Sequence, residues 1–116
     1  MTNYAYLRVS TDNQDVKNQK LGVLEYCHVQ NLTSLKFIED PASGTTPWKE
    51  RPIGDLLKNG ETGDIIIVAE VSRLGRTILQ VLEILEVAAQ KSISVHIAKN
   101  GMVMMAQCSQ PLLQPY

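Results

Sequence analysis

The sequence predicts an α/β fold of three layers, in which helices flank a mostly parallel sheet of four to five strands. Two observations predict it. Segments with strand character alternate with segments of helical periodicity along most of the 116 residues, and this order favours parallel strands joined by helices. Residues 65–69 (Ile-Ile-Ile-Val-Ala) form an unbroken apolar run, as expected of a central parallel strand that is buried on both faces.

The elements are predicted in order from periodicity and from the residues that stop each segment. Strands are predicted over residues 3–9, 32–39, 65–69 and 93–98, and helices over residues 12–29, 48–60 and 77–90. Asp12 is the predicted N-cap of the first helix, and Ser72 that of the third. The apolar face of the third helix is predicted to comprise Ile78, Val81, Leu82, Leu85 and Ala88 or Ala89.

The end of the sequence does not continue this pattern. Residues 102–116 carry no charge and show neither a period nor a helix cap, so we predict that they are irregular. We therefore expect one folded domain over residues 1–104, followed by an irregular tail over residues 105–116.

Composition and charge limit the possible functions. The formal net charge of −1 produces no overall field that would attract nucleic acid, so action on DNA would need basic residues concentrated at one site or on another segment. Cys27 and Cys108 lie far apart and belong to no metal-binding pattern, so we expect no disulfide framework, no metal and a cytoplasmic location. The apolar runs are too short to span a membrane.

Arginines and a serine are predicted to meet at one edge of the sheet. Arg8 and Ser10 share a face at the carboxyl end of the first strand. Arg73 and Arg76 follow the third strand, which in a doubly wound sheet usually lies beside the first, and Arg51 ends the loop after the second. Ligands bind at the carboxyl ends of the strands in such sheets.

Several guanidinium groups around one hydroxyl indicate a phosphate site. Arginine binds phosphate in a bidentate manner and stays protonated. A serine among arginines can attack phosphorus while the guanidinium groups stabilise the charge of the transition state. The plainer interpretation makes Arg73 and Arg76 a solvated helix face and Arg51 a surface residue. Trp48 is interpreted as a packing residue and His96 as structural.

Together these segments resemble the catalytic domain of the serine recombinases, the resolvase/invertase family of site-specific DNA recombinases. The likeness covers about residues 3–104. The segments that carry it are residues 6–11 (Tyr-Leu-Arg-Val-Ser-Thr), Gln19, Asp40, Arg51 and residues 72–76 (Ser-Arg-Leu-Gly-Arg). The last of these is similar to the family's Asp-Arg-Leu-Gly-Arg motif, with Ser72 where that pattern has aspartate.

The resemblance implies a reaction on DNA that needs neither a metal nor another cofactor. Ser10 would attack a phosphodiester at a crossover site, forming a 5′-phosphoserine link and freeing a 3′-hydroxyl before strands are exchanged and rejoined. Arg8, Arg73 and Arg76 would bind the scissile phosphate. Residues that would position it are Tyr6, Gln19, Asp40 and Arg51. Members of the family act as dimers that pair into tetramers, and on DNA the protein would be associated with the nucleoid.

The predicted tail departs from the family pattern, which continues into a long dimerisation helix and a DNA-binding domain. We therefore expect weak self-association and little or no recombination by this chain. One choice of codons for residues 105–116, with a single lost G restored before them, encodes Asp-Gly-Ser-Met-Gln-Ser-Thr-Thr, which resembles the lead-in to that helix. The hypothesis is a frameshifted, truncated recombinase, which sequencing of the coding DNA and its downstream bases would test.

Two other functions remain open at this point. The first is a non-catalytic interaction domain that pairs with full-length recombinases as a regulator or a relic. The second is a phosphate- or nucleotide-binding domain of the flavodoxin type, although the turn at residues 10–13 contains no glycine.

Overall fold

The computed structural model describes residues 2–9, 13–41, 47–75, 77–99 and 101–104. The strands are β1 (Asn3–Arg8), β2 (Leu35–Asp40), β3 (Ile65–Val68), β4 (Ser94–Ile97) and β5 (Met102–Met104). The α-helices are α1 (Asn13–Val29), α2 (Pro52–Asn59) and α3 (Ile78–Gln90), with short 3-10 helices at Trp48–Glu50 and Val71–Arg73.

The five strands form one sheet in the order β2-β1-β3-β4-β5. The pairs β1–β2, β1–β3 and β3–β4 are parallel, and β5 runs antiparallel to β4. The prediction of a mostly parallel sheet is therefore confirmed, as is the place of the third strand beside the first. Because the chain winds from β1 to β2 in one direction and from β3 to β4 in the other, a topological switch point lies between β1 and β3.

Helices cover both faces of the sheet, as the predicted three layers require. On one face α1 packs Val23, Tyr26 and Cys27 against Ala5 and Ile67. On the other face α2 and α3 pack against the sheet, and the buried cluster there includes Tyr6, Trp48, Ile53, Leu57, Ile66, Val68, Val81, Ile84, Ala88, Val95 and Ile97. The central strand β3 is thus buried from both sides, which explains its continuous apolar sequence.

Two predictions about local structure are wrong. Ser72 is not the N-cap of α3, because Thr77 takes that place and its hydroxyl accepts a hydrogen bond from the Gln80 N–H. Met102–Met104 is not irregular, because the free edge of β4 pairs with it as β5. The predicted N-cap Asp12 and the predicted tail at 105–116 lie outside the described residues.

The apolar face of α3 also differs from the prediction. Val81, Ile84 and Ala88 are buried, whereas Ile78 is 78% and Leu82 is 57% exposed. Since the helix is apolar around most of its circumference, its sequence admits more than one buried face, and packing against the sheet selects one of them. Across the ranges described, no helix is long and apolar enough to cross a membrane.

Candidate active site

The carboxyl end of β1 is held by a side chain from α1. The pairing of β1 with β3 covers only Asn3 to Ala5, so the main chain of Arg8 needs other partners on that side. Gln19 supplies them: its Oε1 accepts from the Arg8 N–H at 3.0 Å and its Nε2 donates to the Arg8 carbonyl at 2.8 Å. We call this pair of hydrogen bonds the Gln19 bracket. Because Gln19 is only 2% exposed, the Gln19 bracket fixes the end of β1, the strand that leads to Ser10.

The Asp15 carboxylate connects Gln19 to the loop after β3. Gln19 Nε2 donates to Asp15 Oδ2 at 3.0 Å, and Arg73 Nη2 donates to Asp15 Oδ1 at 2.7 Å. The side chains of Arg73 and Asp15 are 25% and 27% exposed. Gln19, Asp15 and Arg73 are called the Asp15 network below. The Arg73 Nε atom is buried and has no hydrogen-bond partner within the described part of the chain.

A second polar cluster lies on the opposite face of β1, inside the apolar core. Tyr6 and Asp40 are fully buried and Arg51 is 3% exposed. The Tyr6 hydroxyl donates to Asp40 Oδ2, and Arg51 Nε donates to the same oxygen at 2.7 Å. Arg51 Nη2 donates to the Tyr6 hydroxyl at 2.8 Å and to the Leu74 carbonyl at 3.1 Å. Tyr6, Asp40 and Arg51 are called the buried triad below.

The buried triad keeps its charges fixed at neutral pH. Burial, followed by the hydrogen bond to Asp40, raises the pKa of the Tyr6 phenol well above its usual range. Burial alone would lower the pKa of Arg51, but its hydrogen bonds to Asp40 and Tyr6 outweigh this effect and raise the pKa. The phenol therefore stays protonated and the guanidinium stays charged, as a buried pair requires.

The two groups converge on one loop. Arg51 binds the carbonyl of Leu74, and the neighbouring Arg73 binds Asp15. The structure therefore brings Tyr6, Asp40 and Arg51 together. It also joins Gln19 and Arg73, through Asp15, to the main chain of Arg8. The interpretation of Arg51 as a surface residue is wrong, since it is buried. Ser10 and Arg76 lie outside the described residues.

Sequence reasoning missed Asp15, although a signal was present. Asp15 lies four residues before Gln19 in α1, a spacing that puts the two side chains on the same helix face. Once Gln19 is placed at the end of β1, Asp15 must lie near the same sheet edge.

Trp48 and His96 make contacts inside the fold. Trp48 is 7% exposed and packs in the core, as predicted. His96 contacts the Tyr26 hydroxyl through Nδ1 at 2.6 Å, and burial lowers the pKa of His96. Throughout the described ranges, no group of three or more His, Cys, Asp or Glu residues is arranged to hold a metal ion.

Comparison with known proteins identifies the family. The family described as Resolvase, N terminal domain matches residues 3–114. The chain belongs to the resolvase family. The transposon Tn2501 resolvase of Escherichia coli is 33% identical over 99 residues, which are 84% of this chain and 50% of that protein. Serine recombinase PinR of Escherichia coli strain K12 is 27% identical over 113 residues, which are 96% of this chain and 57% of PinR.

A solved resolvase structure shares the fold. The crystal structure of a resolvase family site-specific recombinase from Streptococcus pneumoniae covers 97% of this chain, and this chain covers 79% of that one, with a TM-score of 0.60 at 19% identity. The predicted family and fold class are thus confirmed. The chain spans 50% and 57% of the length of the two curated relatives described above. The family match extends past residue 104, and the boundary there stays a prediction.

One departure from the resolvase pattern now has a structural description. In the motif resemblance described above, Ser72 takes the place of an aspartate, and its hydroxyl donates to Glu70 Oε1 at 2.8 Å. The hydrogen bond from Ser72 is the largest cause of the lowered pKa of the Glu70 carboxyl. Burial raises this pKa, and the charge of Arg73 lowers it further. Among the described carboxylates, Asp15, on another element of the fold, lies nearest to Arg73.

Proposed function

We propose that this resolvase-family chain is the catalytic domain of a serine site-specific recombinase. Ser10 Oγ attacks a DNA phosphorus, the bond between phosphorus and O3′ breaks, and a 5′-phosphoserine link forms. The serine loses its proton and the departing 3′ oxygen gains one. Strand exchange and rejoining reverse this step on new ends, since the phosphoserine link retains the bond energy.

The observation that carries the proposal is the Gln19 bracket. Both main-chain groups of Arg8 are held by a buried amide, and that amide is joined through Asp15 to Arg73. The strand end that leads to Ser10 is therefore linked to an arginine from the far side of the switch point. Prearranged cations beside a nucleophile stabilise the charge that develops on a phosphoryl group.

The proposed roles follow from exposure. Arg73 is partly exposed, so part of its guanidinium can reach a phosphate oxygen, and Arg8 and Arg76 complete the phosphate contacts. Asp40 and Arg51 bind each other in the core. We therefore propose that they and Tyr6 position the phosphate indirectly, by supporting the loops, and that Gln19 does so by fixing the main chain of Arg8.

DNA at a crossover site is the proposed partner, with dimers and tetramers of recombinase as the working assembly. A net charge of −1 provides little counterion release on DNA. We therefore expect this chain to form a covalent adduct on a trapping substrate and to recombine DNA poorly.

The test is covalent capture. The substrate is a duplex pool with random flanks and one 3′-bridging phosphorothiolate, whose thiol leaving group makes cleavage irreversible. Wild type should form an adduct that resists denaturation, and Ser10→Ala should form none. Thr33→Ala, which removes an exposed hydroxyl just before β2 at the other end of the sheet, should match wild type. Mass spectrometry of the tryptic peptide 9–17 should place the nucleotide on Ser10. An adduct of equal yield in Ser10→Ala refutes the assignment of Ser10 as the nucleophile.

An exposed apolar surface favours a second candidate function, pairing with longer recombinases without catalysis. Ile78, Leu79 and Leu82 of α3 are 78%, 68% and 57% exposed, and an apolar patch of this kind marks an interaction surface. Under this alternative, coexpressed PinR should be retained by the tagged chain and by Ser10→Ala alike, but not by Leu82→Glu. Retention by Leu82→Glu counts against the α3 surface.

A further inference from the structure

A carboxylate outside the predicted site residues links the two sides of the site. Asp15 Oδ2 accepts from Gln19, and Asp15 Oδ1 accepts from Arg73. Gln19 in turn holds the main chain of Arg8 on both sides. A continuous set of hydrogen bonds therefore runs from the end of β1 through α1 to the loop after β3, and Asp15 is its centre.

The chemistry of this centre requires a carboxylate. Gln19 Nε2 and Arg73 Nη2 are both donors, so the residue between them must present two acceptor oxygens. An asparagine of the same shape has one acceptor and would direct its NH₂ group at one of these donors. The contact with Arg73 is also charge-assisted at 2.7 Å, which makes it stronger than a neutral hydrogen bond.

Neighbouring residues do not supply the same contact. Glu70 Oε1 lies 3.9 Å from Arg73 Nη2, beyond hydrogen-bond distance, and accepts instead from the Ser72 hydroxyl at 2.8 Å. Ser72 has no carboxylate, although the resolvase pattern has aspartate at this position. Among the described residues, Asp15 is thus the carboxylate within hydrogen-bond distance of the Arg73 guanidinium, and it lies across the switch point.

We propose that Asp15 is a positioning residue, which holds Arg73 beside the end of β1 so that Arg73 and Ser10 reach one phosphate together. This role rests on the proposed recombinase chemistry. Asp15 acts through Arg73 and does not contact the phosphate. Because it sets geometry, its loss should slow the chemical step and leave DNA binding nearly unchanged; a misplacement of about 1 Å costs on the order of 100-fold in rate.

The experiment compares Asp15→Asn with Asp55→Asn on the phosphorothiolate duplex. Asp15 and Asp55 both lie in the first turn of a helix, so the two variants make the same change in net charge and remove the same favourable contact with a helix dipole. We expect Asp15→Asn to lower the rate of adduct formation at saturating DNA by about 10-fold to 100-fold, with half-saturation within about twofold of wild type. Asp55→Asn should match wild type, and Asp15→Glu should recover part of the rate.

A second measurement follows the contact without catalysis. The Nε–H signal of Arg73, assigned through Arg73→Lys, should show an ordered side chain in wild type and in Asp55→Asn and a mobile one in Asp15→Asn. The same spectra report whether Asp15→Asn is folded, and Asp15→Ser replaces it if it is not.

The outcomes separate the two proposals. Wild-type adduct together with an unimpaired or faster Asp15→Asn overturns the role of Asp15 and leaves the recombinase assignment intact. An equal loss in Asp55→Asn shows a general charge effect and also overturns it. Absence of a Ser10-dependent adduct in wild type overturns the recombinase assignment, and the role of Asp15 in the reaction with it.

Discussion

The buried triad and the Asp15 network are built from the same kinds of group and differ in their exposure to water. Each pairs an arginine with an aspartate at 2.7 Å. The Arg51–Asp40 pair is almost completely buried, with side chains 3% and 1% exposed, whereas about a quarter of Arg73 and Asp15 is exposed. Both groups hold the same loop, at Leu74 and at Arg73.

This difference in exposure predicts different roles for the buried triad and the Asp15 network. A buried ion pair cannot separate without leaving an uncompensated charge in the core, so Arg51 is fixed. A partly exposed pair contributes little to stability because water can replace each partner. Arg73 is 25% exposed, so its guanidinium can bind a phosphate while Asp15 holds Nη2. The buried triad should therefore determine stability, and the Asp15 network should determine chemistry.

Arg51→Ala gives the largest expected loss of stability. It leaves Asp40 buried without its cation and removes the donor to the Leu74 carbonyl. Breaking a buried pair by removing one partner costs about 3–5 kcal/mol. Urea unfolding followed by circular dichroism measures the change in the free energy of unfolding.

A double-mutant cycle provides the control. Because Asp40 and Arg51 are in contact, the loss in Arg51→Ala combined with Asp40→Asn should be smaller than the sum of the single losses. Simple additivity, or a loss below about 1 kcal/mol in Arg51→Ala, which is typical of exposed pairs, would remove the distinction between the two regions.

Tyr6→Phe should have the next largest effect on stability. The ring still fills its place in the core, but Asp40 loses a donor and Arg51 Nη2 loses an acceptor. A buried polar group left without its partner costs about 1–3 kcal/mol. A loss of only a few tenths at neutral pH, in the same urea titration, would show that the triad tolerates the missing hydroxyl.

The pH dependence of Tyr6→Phe gives an independent measurement. The pKa of Tyr6 is raised in the folded state, so the unfolded chain releases this proton first, near pH 10, where an ordinary tyrosine titrates. The contribution of Tyr6 is therefore complete below about pH 10 and is lost as the pH rises toward the folded-state pKa. The difference in stability between wild type and Tyr6→Phe should shrink above about pH 10; a constant difference contradicts this.

Arg73→Ala reverses the balance between stability and chemistry. Its ion pair is partly exposed, so the free energy of unfolding should fall by at most about 1 kcal/mol. The covalent adduct on the phosphorothiolate duplex should nevertheless be lost, because Arg73 is the proposed phosphate ligand. A folded Arg73→Ala protein that retains the wild-type rate of adduct formation would show that the Asp15 network is only structural.

Local sequence patterns predicted most of the fold because the spacing of apolar residues reflects which side of each helix or strand is buried. The run at residues 65–69 indicated a central strand, and β3 is central. The strand Met102–Met104 was missed because three residues carry no period, and only the edge of β4 determines that they pair. The buried face of α3 was misplaced for a related reason, since a mostly apolar helix does not specify which side meets the sheet.

The site was predictable where motifs carried it and unpredictable where the main chain did. The placement of Arg8, Gln19 and Arg73 at one sheet edge followed from their positions at the end of β1, in the helix that follows it, and after β3. The bond from Arg51 to the Leu74 carbonyl has no signature in the sequence, because every residue has a carbonyl group. Asp15 lies between these cases: its spacing from Gln19 was visible, but its pairing with Arg73 needs the fold.

Ser72→Ala should have the smallest effect and completes the comparison. The Ser72 hydroxyl is the largest of the influences that lower the pKa of Glu70, ahead of Arg73 and Lys99. A lowered carboxyl pKa stabilises the fold above the ordinary value of about 4.3, and this contribution is lost as the pH falls. The Glu70 carboxyl signal should therefore titrate at higher pH in Ser72→Ala.

Because Ser72 is exposed, stability at neutral pH should change by less than about 0.5 kcal/mol. If adduct formation also stayed at the wild-type rate, Ser72 would support Glu70 alone, and Arg73 would depend on Asp15.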